Sequence, residues 1–82
     1  LPWAEAVTHV MTHTLHYGLG AFEGVRAYAG RNGMHLFRLR EHTRRLLDSA
    51  RILDVAMPCD AETLERVQVE AVARNGLGDA YV

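Results

Sequence analysis

Lysine is absent from this 82-residue chain, because all nine cationic side chains are arginine. Lysine supplies the amine for Schiff-base chemistry, whereas arginine offers a planar, permanently charged fork for phosphate and carboxylate. The chain can therefore bind an anion, but it has no side-chain amine with which to capture a carbonyl. Cysteine is almost absent too. The single Cys59 rules out an internal disulfide, has no CxxC partner, and reads as a structural or incidental thiol. No apolar run is long enough to cross a bilayer and nothing resembles a signal peptide, so a reducing, cytoplasmic setting is the expectation. A formal net charge of −1 provides no overall attraction to nucleic acid or to an anionic membrane.

What is present is concentrated in residues 16–45, HYGLGAFEGVRAYAGRNGMHLFRLREHTRR. Three glycines and two aromatics fall within His16–Gly24, a density that implies positive φ or close approach to a neighbour. Val25-Arg26-Ala27-Tyr28 then alternates apolar and polar, Gly30-Arg31-Asn32-Gly33 supplies turn residues, and His35-Leu36-Phe37 forms a second short run. Together these predict a β-hairpin with strands over 25–29 and 35–37. From Arg40 the period changes. Thr43, Leu46, Leu47, Ala50 and Leu53 follow the i, i+3, i+4, i+7 pattern of one helical face, which predicts a helix over about 40–54.

Pro58 is placed to keep that helix from running into the next. Asp60 is a good N-cap, Leu64, Val67 and Ala71 make an inward stripe, and Asn75-Gly76 stops the pattern, so a second helix is expected over 61–74. Leu77–Val82 begins as a turn and ends like the first residues of a strand. The segment Thr8–His16 has mixed periodicity and reads as extended or irregular. It holds His9, His13 and His16 at i, i+4 and i+7, a spacing that metals can use on a helix. The threonine-rich surroundings argue against a helix there, no HExxH glutamate follows, and ordinary hydrogen-bonded histidines are the stronger reading.

HYG, FEG-x-R-x-Y, the short G-x-N-G hairpin, F-R-x-R-E-H-x-x-R-L and the closing Asn75-Gly76-Leu77-x-x-Ala80-Tyr81 resemble the small N-terminal domain of the branched-chain amino-acid aminotransferases. These are pyridoxal-phosphate enzymes of fold type IV, and the resemblance covers almost the whole chain. D-amino-acid aminotransferases and aminodeoxychorismate lyases share a looser version of the same motifs. The resemblance implies an α+β fold in which a small antiparallel sheet is covered by two helices. It also implies a domain, residues 1–82, that is truncated at both ends and lacks the larger, lysine-bearing C-terminal domain.

The implied function is amino transfer between Leu, Ile or Val and 2-oxoglutarate with pyridoxal 5′-phosphate, in a homodimer or higher homo-oligomer. On this resemblance Arg45 grips the cofactor phosphate. Phe22 is a hydrophobic wall of the substrate pocket, and Tyr17 reaches across the dimer interface. Gly24 keeps the backbone clear of the substrate side chain, and Tyr81 hydrogen-bonds the substrate α-carboxylate. No catalytic residue is expected in this chain, so the 82 residues alone are expected to be inactive. Glu23 and Arg26 could pair or orient the loop, without a catalytic step. A rival reading of another class takes Arg38, Arg40, Arg44, Arg45 and Arg51 as an arginine-rich surface for nucleic acid, or the chain as a non-catalytic interface module. Glu41 and Asp48 interrupt that run of charge, and no aromatic stacking platform shares the helix.

Overall fold

A computed structural model describes all residues, Leu1–Val82. Two antiparallel strands, β1 (Arg26–Gly30) and β2 (Gly33–Leu36), form the hairpin, paired from Ala27–Leu36 to Gly30–Gly33. Neither Arg31 nor Asn32 takes positive φ, so this two-residue connection lacks the primed turn that normally matches strand twist. Gly33, at φ +110°, supplies the correction. The last residues add β3 (Ala80–Tyr81) on the other side of β1, giving the order β2-β1-β3. Val25 and Val82 exchange two backbone hydrogen bonds of 2.8 Å that extend this pairing.

Two helices cover the sheet. The first long one, α2 (Leu39–Ile52), follows a one-turn helix α1 (His13–Tyr17), and α3 (Ala61–Asn75) completes the set. The α+β arrangement read from the sequence is borne out, with each boundary within a few residues of its expected place. Helix α3 begins as expected, with the Asp60 carboxylate accepting from the Thr63 amide at 2.8 Å, and ends at Gly76 in the left-handed region, φ +58°.

Pro58 stands in the connector between α2 and α3, as expected, and α2 ends before it. The helix is already closed by a Schellman motif in which Asp54 takes φ +55°, the Asp54 amide donates to Arg51 O at 3.1 Å, and the Val55 amide donates to Ala50 O at 2.9 Å. Two expectations need correction. The stripe of α3 is rotated by about one residue: Val67 and Ala71 are exposed, Leu64 is half-buried, and Val72 is the buried position. The cause is the packing of α3 against α2, which puts Glu65 at the contact, 3.9 Å from Arg40. Finally, the segment expected to be extended or irregular contains α1. Its single turn is closed by Gly18 at φ +64° and is too short for threonine propensities to veto.

The fully buried residues are Val25 and Ala27 from the β1 segment, Thr43 and Ala50 from α2, and Val72 from α3. This small core fixes the segment before β1 against α2 and β3. No helix is long and apolar enough to cross a membrane.

Candidate functional site

Glu23 stands two residues before the buried Val25, so its carboxylate is carried to the flank of α2. His42 and Arg45 stand there one helical turn apart on a common face. The Arg45 guanidinium donates through Nε to one Glu23 oxygen and through Nη2 to the other, a bidentate fork. The Glu23 carboxylate also accepts from the Gly24 amide at 3.0 Å and lies 3.3 Å from His42 Nδ1. Its side chain is 10% exposed, against 68% for that of Arg45.

The electrostatics follow the geometry. The Arg45 hydrogen bonds first, and then the Gly24 amide, hold the Glu23 carboxyl far below its ordinary 4.5, at about 2. Glu23 in turn raises Arg45 still further. Of the five N–H donors that a guanidinium carries, Glu23 takes two, which leaves three, two of them side by side on the Nη1–Nη2 edge. That edge can receive an oxyanion. The hollow beside it has a volume of ≈ 320 Å³ and is lined by Phe37, Arg38, Glu41, His42 and Arg45.

Tyr81 approaches from β3. Its phenol occupies the space over Gly24 so closely that a Cβ on Gly24 would stand 1.9 Å from Tyr81 Oη. The missing Cβ at Gly24 is what gives Tyr81 this space. A second hollow of ≈ 290 Å³ lies on the sheet, lined by Arg26, Ala27, Tyr28, Asp79, Ala80 and Tyr81.

Three of the five residues singled out from the sequence are thus brought together: Arg45, Gly24 and Tyr81. Tyr17 and Phe22 are not joined to them, being 79% and 94% exposed, although Tyr17 packs edge-on against His13. The sequence reading left two members of the cluster unassigned. Glu23 was weighed against Arg26 and in fact pairs with Arg45. His42 lay inside a quoted motif without a role, and its spacing from Arg45 was the available signal.

The histidines of the N-terminal segment do not converge. His9 Nδ1 accepts from the Met11 amide at 3.1 Å and His16 Nε2 bonds Val10 O at 2.8 Å; no group of three metal-ligating side chains is gathered anywhere. The arginine-rich surface is interleaved with acids. Arg38, Arg40, Arg45 and Arg51 each have a carboxylate within 4.0 Å, which lowers the net positive charge that a nucleic-acid face requires.

Residues 20–82 match the family described as amino-transferase class IV. The chain is 49% identical over 80 residues to the branched-chain-amino-acid aminotransferase of Pseudomonas aeruginosa, covering 98% of this chain and 26% of that protein. It is similar in structure to the Thermoproteus uzoniensis branched-chain aminotransferase solved with norvaline, with a TM-score of 0.90, 44% identity, and coverage of 96% of this chain and 27% of that one. The Thermobaculum terrenum branched-chain amino acid aminotransferase in its PLP form gives a TM-score of 0.82 at 30% identity, covering 99% and 27%. The chain spans about a quarter of the length of the relatives it matches.

Proposed function

We propose, for a chain that belongs to the amino-transferase class IV family, that it is the N-terminal small domain of a branched-chain amino-acid aminotransferase. The whole protein would transfer the amino group of Leu, Ile or Val to 2-oxoglutarate with pyridoxal 5′-phosphate. It would act as a homodimer in the cytoplasm. The relatives' names support the substrate class over the D-amino-acid aminotransferase and aminodeoxychorismate lyase branches.

The observation that carries this reading is the Arg45 fork, pinned on one edge by Glu23 and open on the other. It fits the phosphate end of pyridoxal phosphate, because a guanidinium gives parallel charge-assisted bonds to phosphate oxygens and stays charged at any working pH. When bound, that cofactor supplies an electron sink for the substrate Cα. The residues of this chain hold and orient. Arg45 binds the phosphate, Tyr81 donates a hydrogen bond from its hydroxyl to the substrate α-carboxylate, and Gly24 leaves room for that phenol. Phe22 and Tyr17 present apolar and hydroxyl surface to the substrate from the loop and from α1. No lysine is present, so the group that handles the Cα proton belongs to the larger domain.

Arg45→Ala in the full-length protein tests the reading. The variant is expected to fold like the parent, by circular dichroism, and to lose its pyridoxal phosphate on extensive dialysis. Retention equal to the parent's would overturn the Arg45 assignment. The same protein reports the substrate branch: activity with D-alanine but not leucine, or conversion of aminodeoxychorismate, would move it to one of the other two branches.

A further inference from the structure

Glu23 is the least exposed charged side chain of the cluster, and it lines neither the hollow beside Arg45 nor the one on the sheet. Its oxygens are committed to Arg45, to the Gly24 amide and to the flank of His42. We propose that Glu23 is a positioning residue for anion binding, which fixes the Arg45 guanidinium before the ligand arrives. The inference rests on the reading of Arg45 as the phosphate-binding residue and deepens it.

An exposed arginine samples many rotamers, and freezing it on binding costs conformational entropy. Here two N–H groups are already anchored to a carboxylate that is itself held by a backbone amide, so the plane and edge of the fork are set in advance. Of the three remaining donors, the two on the Nη1–Nη2 edge form a fixed array. The Gly24 amide extends this device. By fixing Glu23, it ties the orientation of Arg45 to the backbone at the point where Tyr81 packs, so the anion end and the Tyr81 end of the site share one support.

Simple electrostatics predicts the opposite sign. Glu23 is an anion near an anion site, and its removal should tighten phosphate binding if charge alone mattered. Water screens that repulsion on the exposed side of Arg45, whereas the orientation is lost outright. The direction of the change therefore separates the two effects.

The experiment titrates the full-length apoenzyme with pyridoxal 5′-phosphate and, separately, with pyridoxal, which lacks the phosphate. Glu23→Gln is expected to raise Kd for pyridoxal phosphate about tenfold, the scale set by one frozen side chain, while Kd for pyridoxal stays within about twofold on the same scale. In an Arg45→Ala background Glu23→Gln should add nothing, because the two residues act as a unit. Glu23→Asp keeps the charge but shortens the reach. It should also lose affinity for pyridoxal phosphate alone, and it serves if the glutamine variant does not fold. Tighter or unchanged pyridoxal phosphate binding, equal weakening of both ligands, or the same loss with Arg45 already removed would each overturn the proposal. If Arg45→Ala weakens only the phosphorylated ligand while Glu23→Gln does not, the phosphate reading stands and the positioning role falls. If Arg45→Ala itself leaves the two ligands unchanged, the phosphate reading falls first.

Discussion

Substituting Gly24 by alanine puts one methyl group where Tyr81 now lies. The added Cβ would stand 1.9 Å from Oη, 2.3 Å from Cζ and 2.7 Å from Cε1, where ordinary contact begins at 3.4 Å. The phenol must therefore retreat by about 1.5 Å to reach normal contact. Tyr81 is 74% exposed, so it can swing outward, and a side-chain adjustment of that size costs about 1 kcal/mol. Gly24 does not occupy the positive-φ region, so alanine adds no backbone strain. Stability should fall by no more than about 1 kcal/mol while the hydroxyl is misplaced by more than 1 Å, an error that can cost on the order of 100-fold in rate. The assay is leucine transamination with 2-oxoglutarate in the full-length protein, read as kcat/KM beside a urea unfolding curve. Gly76→Ala is the matched control. Gly76 has φ +58° and nothing within 4 Å of a built Cβ, so it should lose roughly 1 kcal/mol of stability through backbone strain with kcat/KM unaltered. The reasoning is refuted if Gly24→Ala keeps kcat/KM within about twofold of the parent, or if it destabilises more than Gly76→Ala does.

Acid should expose the two depressed carboxyls. Glu23 is held at about 2 rather than 4.5, and Asp60 is lowered by the Thr63 amide, so their contributions to stability are complete above the ordinary carboxylate range and fade as pH falls below it, for Glu23 toward 2. Asp60→Asn, which caps comparably without titrating, should flatten that acid limb in urea midpoints taken between pH 6 and about 2; an acid limb as steep as the parent's would contradict the capping account. Ala50, 1% exposed on α2, has no room for growth, and Ala50→Leu should cost about 1–3 kcal/mol by overpacking, seen as a lower urea midpoint with an unchanged slope.

The sequence was legible where local chemistry decides the structure. Asp60 and Gly76 carry their own capping reasons, and the change from period two to period 3.6 after Phe37 marks the hairpin-to-helix switch. It was less legible where tertiary contact decides. The inward face of α3 depends on how that helix rolls on α2, and no stripe of moderately apolar residues distinguishes Val67 from Val72. The end of α2 turned on a left-handed Asp54, a conformation that aspartate adopts more readily than most residues but does not advertise. Arg45 stood out through its motif, whereas its partner Glu23 is 22 positions away in the chain and had a nearer cation, Arg26, to suggest a false pairing.

The exposed aromatics have a common physical basis. The chain exposes 6970 Å², against about 4900 Å² for a compact protein of 9.2 kDa. Its radius of gyration is 14.3 Å, where about 12 Å would suffice for its length. The excess, about 2000 Å², is more than twice what one partner contributes to a standard protein interface, and it includes Trp3, Tyr17 and Phe22, each more than three-quarters exposed. Glu23, Gly24, Arg45 and Tyr81 meet one another within the chain, while Tyr17 and Phe22 stand on surface that these 82 residues do not bury. The division matches the chemistry. What this chain orders by itself is the Glu23–Arg45 fork with Tyr81 set over Gly24, and on the proposed reading these form a cradle for anions, phosphate at Arg45 and carboxylate at Tyr81, a task that calls for arginine rather than lysine.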